Sequence, residues 1–382
     1  MMIKSLSYSV YKRFPKFEIF NSTKPLTGDL ILARCSRSYS DSSSCKDDKL
    51  FDDFRDCLYR RYQKQDVQCG NKVSIVGAGA VGTACAIALL SKGITNNIAL
   101  YDVRKEFCSA ERQDLLQGSL FLHNCKIDNR TTIECTKNSR VIVITAGVRS
   151  KPNESRQNLV HRSAEIIKKI APELLKQSPK AVFIVVSNPV DVMTWVTRKI
   201  TNLPYERCFS TGCHLDTARF RMFIGKLLRV STSSVQGMVL GEHGDTSVPI
   251  WSSVSVGGTL LKDLLPPIGT EKDPMAWSNV HKNVVDAAYK VIGGKGYTNW
   301  AVGLTVSDVV SAIFENSNRI LSLSTNAKGM CGVKEEVFLS LPCIVNKWGI
   351  YGVLHPQLSD WEKNKFEESA KVMLKLQNSI KF

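Results

Sequence analysis

KVSIVGAGAVG, residues 72–82, is a short apolar run that leads directly into a glycine-rich turn. The run predicts a buried β-strand, and the residues after the turn predict a helix. In such a turn Gly77 permits the tight bend, Gly79 lets the backbone approach a phosphate, and Gly82 lets the helix pack on the strand. Amide groups at the start of a helix bind anions. The stretch therefore predicts a phosphate-binding turn.

Asp102 extends this prediction to a dinucleotide. It ends the next predicted strand, IALYDV, twenty residues after Gly82. A carboxylate at this point accepts hydrogen bonds from the ribose hydroxyls of NAD and repels the extra phosphate of NADP. A glycine-rich turn alone is weak support, because such turns are common. Together with Asp102 it predicts NAD as the cofactor.

Short apolar segments alternate with helical stretches over the first half of the chain. The predicted helices cover 81–92 and about 105–118, and the predicted strands are KVSIV, IALYDV, TTIEC, VIVITAG and AVFIVVSNP. This alternation is typical of parallel βαβ units. After residue 211 the pattern is less regular, and a capping box at Ser359 and Glu362 opens a last amphipathic helix. We expect an α/β fold, a Rossmann doubly wound parallel sheet with a second, α+β catalytic domain.

Composition limits the classes of partner. The net charge is +16, but no basic stripe or aromatic platform accompanies it, so we expect no nucleic acid. No apolar run approaches the length of a membrane span, so we expect no membrane partner. The 12 cysteines form no CxxC pair and no metal-ligand spacing, which favours a reduced compartment and no metal.

The N-terminal residues have a different composition. Residues 1–40 are rich in serine and contain seven basic side chains against two acidic ones, which is typical of a transit peptide. RSYS, residues 37–40, resembles a matrix-processing site with the cut after Tyr39. This composition predicts mitochondrial import. The alternative is a cytoplasmic protein whose N-terminal extension contains no targeting signal. We expect a partly helical arm at 41–66, an NAD-binding domain at 67–211 and a catalytic domain at 212–382.

Two further segments carry candidate catalytic side chains. His243 stands between glycines in GEHGD, a poor position for a core residue, although a plain turn residue is the alternative. Asp216 and Arg219 in LDTAR are three residues apart and share a helical face. An aspartate orients an imidazole and favours its charged form, and the planar fork of an arginine suits a carboxylate. Such a pair alone is more often a surface ion pair.

Several motifs together resemble the L-lactate dehydrogenases, in that family's order and spacing, from about Lys72 to the C-terminus. They are GEHGDTSVPIW, LDTARFRMFIG, SNPVDVMT, AGVR followed by ESRQNLV, and GYTNWAVGL. The resemblance implies a Rossmann domain, a catalytic domain, a mobile loop over the active site and a homotetramer. It also implies reversible hydride transfer between NAD(H) and a small 2-hydroxy or 2-oxo acid, with lactate and pyruvate as the expected pair in pyruvate metabolism and glycolysis.

The resemblance also implies roles for individual residues. His243 is similar to the proton donor and acceptor, Asp216 to the carboxylate that holds it, and Arg219 to the clamp on the substrate carboxylate. Arg156 resembles the arginine that polarises the substrate carbonyl when the loop closes. The remaining positions match substrate contacts at Asn188 and Thr298 and cofactor contacts at Arg149 and again Asn188.

Ser150 departs from the family. Lactate dehydrogenases generally have a glutamine at this substrate-contacting position, and malate dehydrogenases have an arginine. Leu116, Gln117 and His214 also differ from the usual residues, and we attach no loss of activity to them. The alternatives are therefore a dehydrogenase of malate or another 2-hydroxy acid, or a catalytically weak paralogue that serves as an oligomer partner.

Overall fold

The computed structural model describes residues 51–52, 54–62, 70–122, 124–128, 130–148 and 156–382, with only the backbone of residues 156 and 157. The chain divides into two units, residues 1–57 and 58–382. The described part of the first unit, residues 51–52 and 54–57, is helical. Everything below concerns the second unit.

A ten-stranded sheet organises the second unit. Its strands are β1 (Tyr59–Arg61), β2 (Val73–Val76), β3 (Asn97–Tyr101), β4 (Lys126–Ile127), β5 (Val141–Ile144), β6 (Val182–Val185), β7 (Cys208–Ser210), β13 (Arg319–Asn326), β14 (Phe338–Asn346) and β15 (Gly349–Leu354). Two small sheets contain β8 (Val235–Gln236), β9 (Val239–Leu240), β10 (Val248–Pro249), β11 (Ser255–Val256) and β12 (Thr259–Leu260).

Helices connect and cover these strands. They are α1 (Ala80–Ser91), α2 (Lys105–Gln117), α3 (Arg156–Gln177), α4 (Val190–Thr201), α5 (His214–Leu228), the short α6 (Leu261–Leu264), α7 (Ser278–Lys295), α8 (Trp300–Phe314) and α9 (Asp360–Asn378). The capping box of Ser359 and Glu362 opens α9 as predicted, since each side chain bonds the backbone of the other residue.

The sheet confirms the predicted fold class. Its parallel part has the order β4-β3-β2-β5-β6-β7, in which the chain starts in the middle and builds outward in both directions. This is the order of a doubly wound Rossmann sheet. Strands β2, β5 and β6 are buried along their whole length, which explains their uninterrupted apolar sequences.

Beyond β7 the sheet continues with antiparallel strands. Strand β13 pairs with β7 where Ser324 faces Ser210, and β14, β15 and β1 follow. The sequence predicts a partly helical arm at 41–66, and within it Phe51, Phe54 and Leu58 are helical. The next residues, Tyr59–Arg61, instead form an edge strand on β15.

The strand predicted at TTIEC is wrong. Ile133–Thr136 form a single 3-10 turn, and β3 pairs instead with Lys126–Ile127. The Cys135 and Lys137 amides donate to the Thr132 and Glu134 carbonyls within this turn, so these groups are not available for a sheet ladder. The thiol of Cys135 donates to the Leu100 carbonyl, so the apolar residues of the segment pack against β3 without extending the sheet.

One large apolar cluster lies on both sides of the main sheet, and a second one, which includes Phe220, Trp251 and Trp277, lies between α5 and α7. Among the residues that the structure describes, no helix is long and apolar enough to cross a membrane.

Candidate active site

The glycine-rich turn lies between β2 and α1, and its three glycines differ in the space that a side chain would find there. At Gly77 the backbone φ is +106°, and a Cβ there would lie 2.6 Å from the Ala146 nitrogen. At Gly82 a Cβ would collide with the Gly77 carbonyl oxygen. At Gly79 a Cβ would meet no atom within 4 Å, so this side of the turn is open. The open face at the start of α1 fits the pyrophosphate of a dinucleotide.

Asp102 follows β3 directly and lies beside this turn. Its Oδ2 accepts a hydrogen bond of 2.9 Å from the Ala78 amide, and its Oδ1 accepts one of 2.9 Å from the Arg104 amide. Burial opposes ionisation of the carboxyl, but hydrogen bonds from Arg104 and the Ala78 amide outweigh it and lower the pKa of Asp102. The group is therefore an ionised acceptor at neutral pH, next to the turn.

Helix α5 brings Asp216 and Arg219 to the GEHGD loop. Nδ1 of His243 lies 2.6 Å from Oδ2 of Asp216, and Arg219 donates to the other carboxylate oxygen over 3.1 Å. The Asp216 side chain is 8% exposed and that of His243 is 27% exposed. One buried carboxylate thus holds both an imidazole that solvent can reach and a guanidinium.

The His243 imidazolium and the Asp216 carboxylate each stabilise the charged form of the other. Burial disfavours the imidazolium, but the Asp216 carboxylate, its hydrogen bond and the charge of Asp191 outweigh this and raise the pKa of His243 to about 9. Burial likewise opposes ionisation of Asp216, and His243 and Arg219 lower its pKa overall. At neutral pH the loop therefore presents a protonated imidazole, ready to donate a proton.

The His243 loop is held from two further elements. The His243 amide donates to Oδ2 of Asp191 in α4 over 2.8 Å, and the Glu242 amide donates to Oγ of Ser369 in α9 over 2.8 Å. Burial raises the pKa of Asp191 to about 6, although the hydroxyl of Ser324 and the His243 amide oppose the shift. The sequence reasoning missed Asp191 and Ser369. The signal for Asp191 was a lone carboxylate in the otherwise apolar start of α4, VDVMTWV.

A second histidine lies near this cluster. Nε2 of His281 in α7 is 3.0 Å from Oγ of Ser247, and burial lowers the pKa of His281 despite the Asp216 charge. His281 is therefore neutral at neutral pH, whereas His243 is charged. No local sequence pattern distinguishes His281 from an ordinary core histidine.

The other predicted site residues are placed as follows. Asn188 is exposed and follows β6, and Thr298 is half-buried just before α8. Gly77, Asp102 and Asn188 thus all follow the carboxyl ends of parallel strands, the edge where such sheets bind ligands. Arg149 and Ser150 lie outside the described residues, and Arg156 is described only as the first backbone position of α3.

Cys213 lies beside Asp216 and His243. Its sulfur and ligand atoms of Asp216 and His243 all lie within 4.8 Å of one another. Burial and the neighbouring carboxylates raise the pKa of the Cys213 thiol well above its usual value, so it stays protonated. Asp216 already has two cationic partners, His243 and Arg219. We assign no metal to this group.

Comparison with known proteins agrees with this arrangement. The family model for the lactate/malate dehydrogenase NAD binding domain matches residues 71–210, and that for the lactate/malate dehydrogenase alpha/beta C-terminal domain matches residues 213–381. The L-lactate dehydrogenase B chain of Bos taurus is 47% identical over 311 residues, which are 81% of this chain and 93% of that one.

Two further relatives give the same result. The Homo sapiens L-lactate dehydrogenase B chain is 46% identical and the Danio rerio L-lactate dehydrogenase B-A chain is 47% identical, each over 81% of this chain and 93% of the relative. The two family models together cover nearly the whole second unit. The chain therefore belongs to the lactate/malate dehydrogenase family, whose members are NAD-dependent oxidoreductases of 2-hydroxy acids.

Proposed function

We propose that this protein is an L-lactate dehydrogenase-like enzyme that interconverts lactate and pyruvate with NAD(H). The observation that carries the proposal is the Asp216 carboxylate, which holds the His243 imidazole on one oxygen and the Arg219 guanidinium on the other. A proton donor and a carboxylate-binding cation are thereby fixed side by side. A small 2-oxo acid needs both groups at this spacing.

His243 is the general acid in the direction of reduction. Asp216 engages Nδ1, so Nε2 remains for the substrate oxygen, on which negative charge develops. The raised pKa keeps the imidazole charged at neutral pH. In the reverse direction the neutral imidazole accepts the hydroxyl proton.

Arginines would hold the two ends of the substrate. Arg219 binds the carboxylate through its planar fork, and it keeps a buried ionic partner in Asp216. Arg156 is proposed to polarise the 2-oxo group when the 149–160 loop closes and excludes water. Thr298, Asn188 and Ser150 complete the proposed substrate contacts.

NAD is the cofactor of the family, and when bound it supplies or accepts the hydride at the nicotinamide. The residues proposed to hold it are Gly77, Gly79, Gly82 and Asp102, with Arg149 on the phosphates and Asn188 beside the nicotinamide. Within the second unit we assign this task to residues 67–211 and the substrate to residues 212–382.

Two finer properties are also proposed. The family resemblance suggests a homotetramer, which light scattering of the purified protein would test. The basic, serine-rich residues 1–40 suggest a mitochondrial transit peptide.

A panel of 2-oxo acids with NADH tests the proposed function. We expect NADH oxidation with pyruvate and little with oxaloacetate, because Ser150 offers no cation for a second carboxylate. A preference for oxaloacetate would make the enzyme a malate dehydrogenase. If no 2-oxo acid oxidised NADH, the weak paralogue would be the better description, although His243, Asp216, Arg219 and Arg156 are all present.

A further inference from the structure

His214 differs from the residue usual in the family, and its side chain has a definite partner in the structure. It is the first residue of α5, two residues before Asp216. Its Nε2 lies 2.8 Å from Oδ2 of Asp308 in α8. Among the described residues this is the one side-chain hydrogen bond between α5 and α8, and Nδ1 of His214 has no partner there. The bond to Asp308 is therefore what this side chain contributes.

Asp308 is a fixed, ionised acceptor for this bond. Arg319, the first residue of β13, donates to Oδ1 of Asp308 over 2.7 Å and to its backbone carbonyl over 2.9 Å. Burial opposes ionisation of the carboxyl, but His214 and Arg319 outweigh it and lower the pKa of Asp308 to about 2. An ionised carboxylate only accepts, so Nε2 of His214 carries the hydrogen of this bond.

Helix α8 is itself held against α1, the helix that begins at the glycine-rich turn. A Cβ at Gly303 of α8 would lie 2.6 Å from the Ala84 carbonyl oxygen, so the two backbones are in contact. Nζ of Lys92, the residue after α1, donates to Oγ of Ser307 in α8 over 3.3 Å. Helix α8 therefore has a fixed position relative to the glycine-rich turn.

The first turn of α5 is also attached to two strands. Oγ1 of Thr217 accepts a hydrogen bond of 3.0 Å from the Val239 amide in β9. The Cys213 amide, just before the helix, donates to Oγ of Ser340 in β14 over 2.9 Å. These bonds fix the turn relative to the strands, whereas the hydrogen bond of His214 fixes it relative to α8.

We propose that His214 is a positioning residue. Its bond to Asp308 holds α5 in place relative to the bound cofactor, and α5 carries Asp216 and Arg219. An error of about 1 Å in the placement of reacting groups can cost on the order of 100-fold in rate. The inference rests on the roles proposed for Asp216 and Arg219.

The pKa of His243 in the free protein tests the proposal without any turnover. The Asp216 contact keeps this pKa near 9, so a displaced Asp216 should lower it. In His214→Leu, which has no donor, we expect the pKa of His243 to fall by about 1 or more, a tenfold weaker proton affinity. His214→Gln keeps an N–H donor, so the pKa of His243 should stay near 9. NMR titration of isotope-labelled histidines measures this pKa, and the His243 signal is the one absent from His243→Gln.

The direction of the change separates positioning from a direct effect of charge. The charged groups that act on His243 are Asp216, Arg219 and Asp191, and the nearby His281 is neutral. Each variant keeps all of them. Loss of positive charge at the start of α5 would raise the pKa of His243, which is the opposite of the expected change.

Turnover is the second readout. With NADH and pyruvate, kcat of His214→Leu should fall about 10- to 100-fold, and that of His214→Gln should stay near the wild-type value. The affinity for NADH should be unchanged in both variants, because the glycine-rich turn is intact. His355→Leu is the matched control, since His355 is exposed after β15, and it should equal the wild type in both readouts.

Three results would overturn the proposal: an unchanged pKa of His243 in His214→Leu, a higher pKa in that variant, or an equal fall in His214→Gln. Thermal unfolding checks that each variant is folded, and a smaller folded fraction would lower the rate without changing the pKa. If His214→Leu does not fold, His214→Ala replaces it with the same expected result. Because the titration needs no turnover, a protein inactive with every 2-oxo acid would refute the proposed function and still leave this inference testable.

Discussion

His243 and Asp216, 27 residues apart in the chain, are joined by a 2.6 Å contact between Nδ1 and Oδ2. The contact is the main reason that the pKa of His243 lies near 9, since burial alone would lower it. An imidazole with this pKa stays protonated in the free enzyme over the neutral range. With His243 as the proposed general acid, we expect the Asp216 carboxylate to set the upper pH limit of reduction.

Asp216→Asn should lower the pH at which reduction fails. Without the Asp216 carboxylate, burial and the Arg219 charge disfavour the imidazolium and the Asp191 charge alone favours it, so the alkaline limb of kcat/KM for pyruvate should move from about pH 9 to lower pH. The pH profile of kcat/KM reports the free enzyme, which makes it the right measurement. An alkaline limb that stayed near pH 9 in Asp216→Asn would contradict the role given to this carboxylate.

His243→Gln should reduce turnover by about 100-fold or more, the usual effect of removing a positioned acid-base group. NADH binding should remain nearly intact, because the glycine-rich turn and Asp102 are separate from the GEHGD loop. Steady-state turnover and NADH titration measure the two properties. His281→Gln is the matched control, since its imidazole is neutral and bonds Ser247, and it should retain most of the activity. If His243→Gln kept most of its turnover, the assignment of the general acid would be wrong.

Gly79 and Gly82 should respond differently to alanine. At Gly82 the new Cβ collides with the Gly77 carbonyl oxygen, so we expect a loss of stability on the order of 1–3 kcal/mol. At Gly79 the space is open and φ is −74°, so alanine should fold normally. Its methyl group would instead stand where the backbone approaches the pyrophosphate, and NADH affinity should fall. Thermal unfolding and NADH titration separate the two effects. Equal melting temperatures for the two variants would show that Gly82 has no packing role.

Four strands of the parallel part, β2, β3, β5 and β6, were predictable because each is a short apolar run with a helix after it. The VSIV part of KVSIV and the VIVI part of VIVITAG are buried along their whole length, and such burial on both faces of a sheet favours an uninterrupted apolar sequence. Strand pairing between segments that are distant in the sequence produces no local sequence pattern from which it could be predicted. The edge strand Tyr59–Arg61 and the continuation of the sheet through β13 depend on partners far away in the sequence.

The same distinction between local patterns and distant contacts applies to the residues of the candidate active site. Residues with an unusual local setting, such as His243 between glycines, were identified from the sequence. Ser369 was not, because it is one serine among the polar residues of α9 and its bond to the Glu242 amide crosses 127 residues. The TTIEC segment misled for a related reason. Alternating apolar residues indicate a strand, but here the Cys135 and Lys137 amides bond the Thr132 and Glu134 carbonyls within a turn.

Removal of residues 1–40 should leave catalysis unchanged and abolish delivery to mitochondria. The segment is basic and serine-rich, and the family model begins only at residue 71. A fluorescent fusion of the full chain measures delivery, and the truncated protein measures activity with pyruvate and NADH. Diffuse cytosolic fluorescence from the full-length fusion would refute the transit peptide and leave the enzymatic assignment intact.

Ser150 should make this enzyme poor with oxaloacetate and slower with pyruvate than its glutamine-containing relatives. A second substrate carboxylate under a closed loop needs a cationic partner, and serine offers only a neutral hydroxyl. Two cations flank Ser150 in the sequence. Arg149 is assigned to the cofactor phosphates, and Lys151 precedes Pro152, which biases its backbone towards an extended conformation that need not direct the side chain inward.

The size of Ser150 gives the second half of this prediction. Serine leaves space where a glutamine would pack against the substrate methyl group, and lost contacts reduce the alignment of the reacting atoms. Compared with an enzyme that has glutamine at this position, the loss of kcat/KM should therefore be smaller for larger 2-oxo acids such as 2-oxobutyrate than for pyruvate. Measurement of kcat/KM for pyruvate, 2-oxobutyrate and oxaloacetate in the wild type and in Ser150→Gln tests both halves. A wild type that prefers oxaloacetate, or a Ser150→Gln variant with no gain on pyruvate, would show that another position sets the specificity.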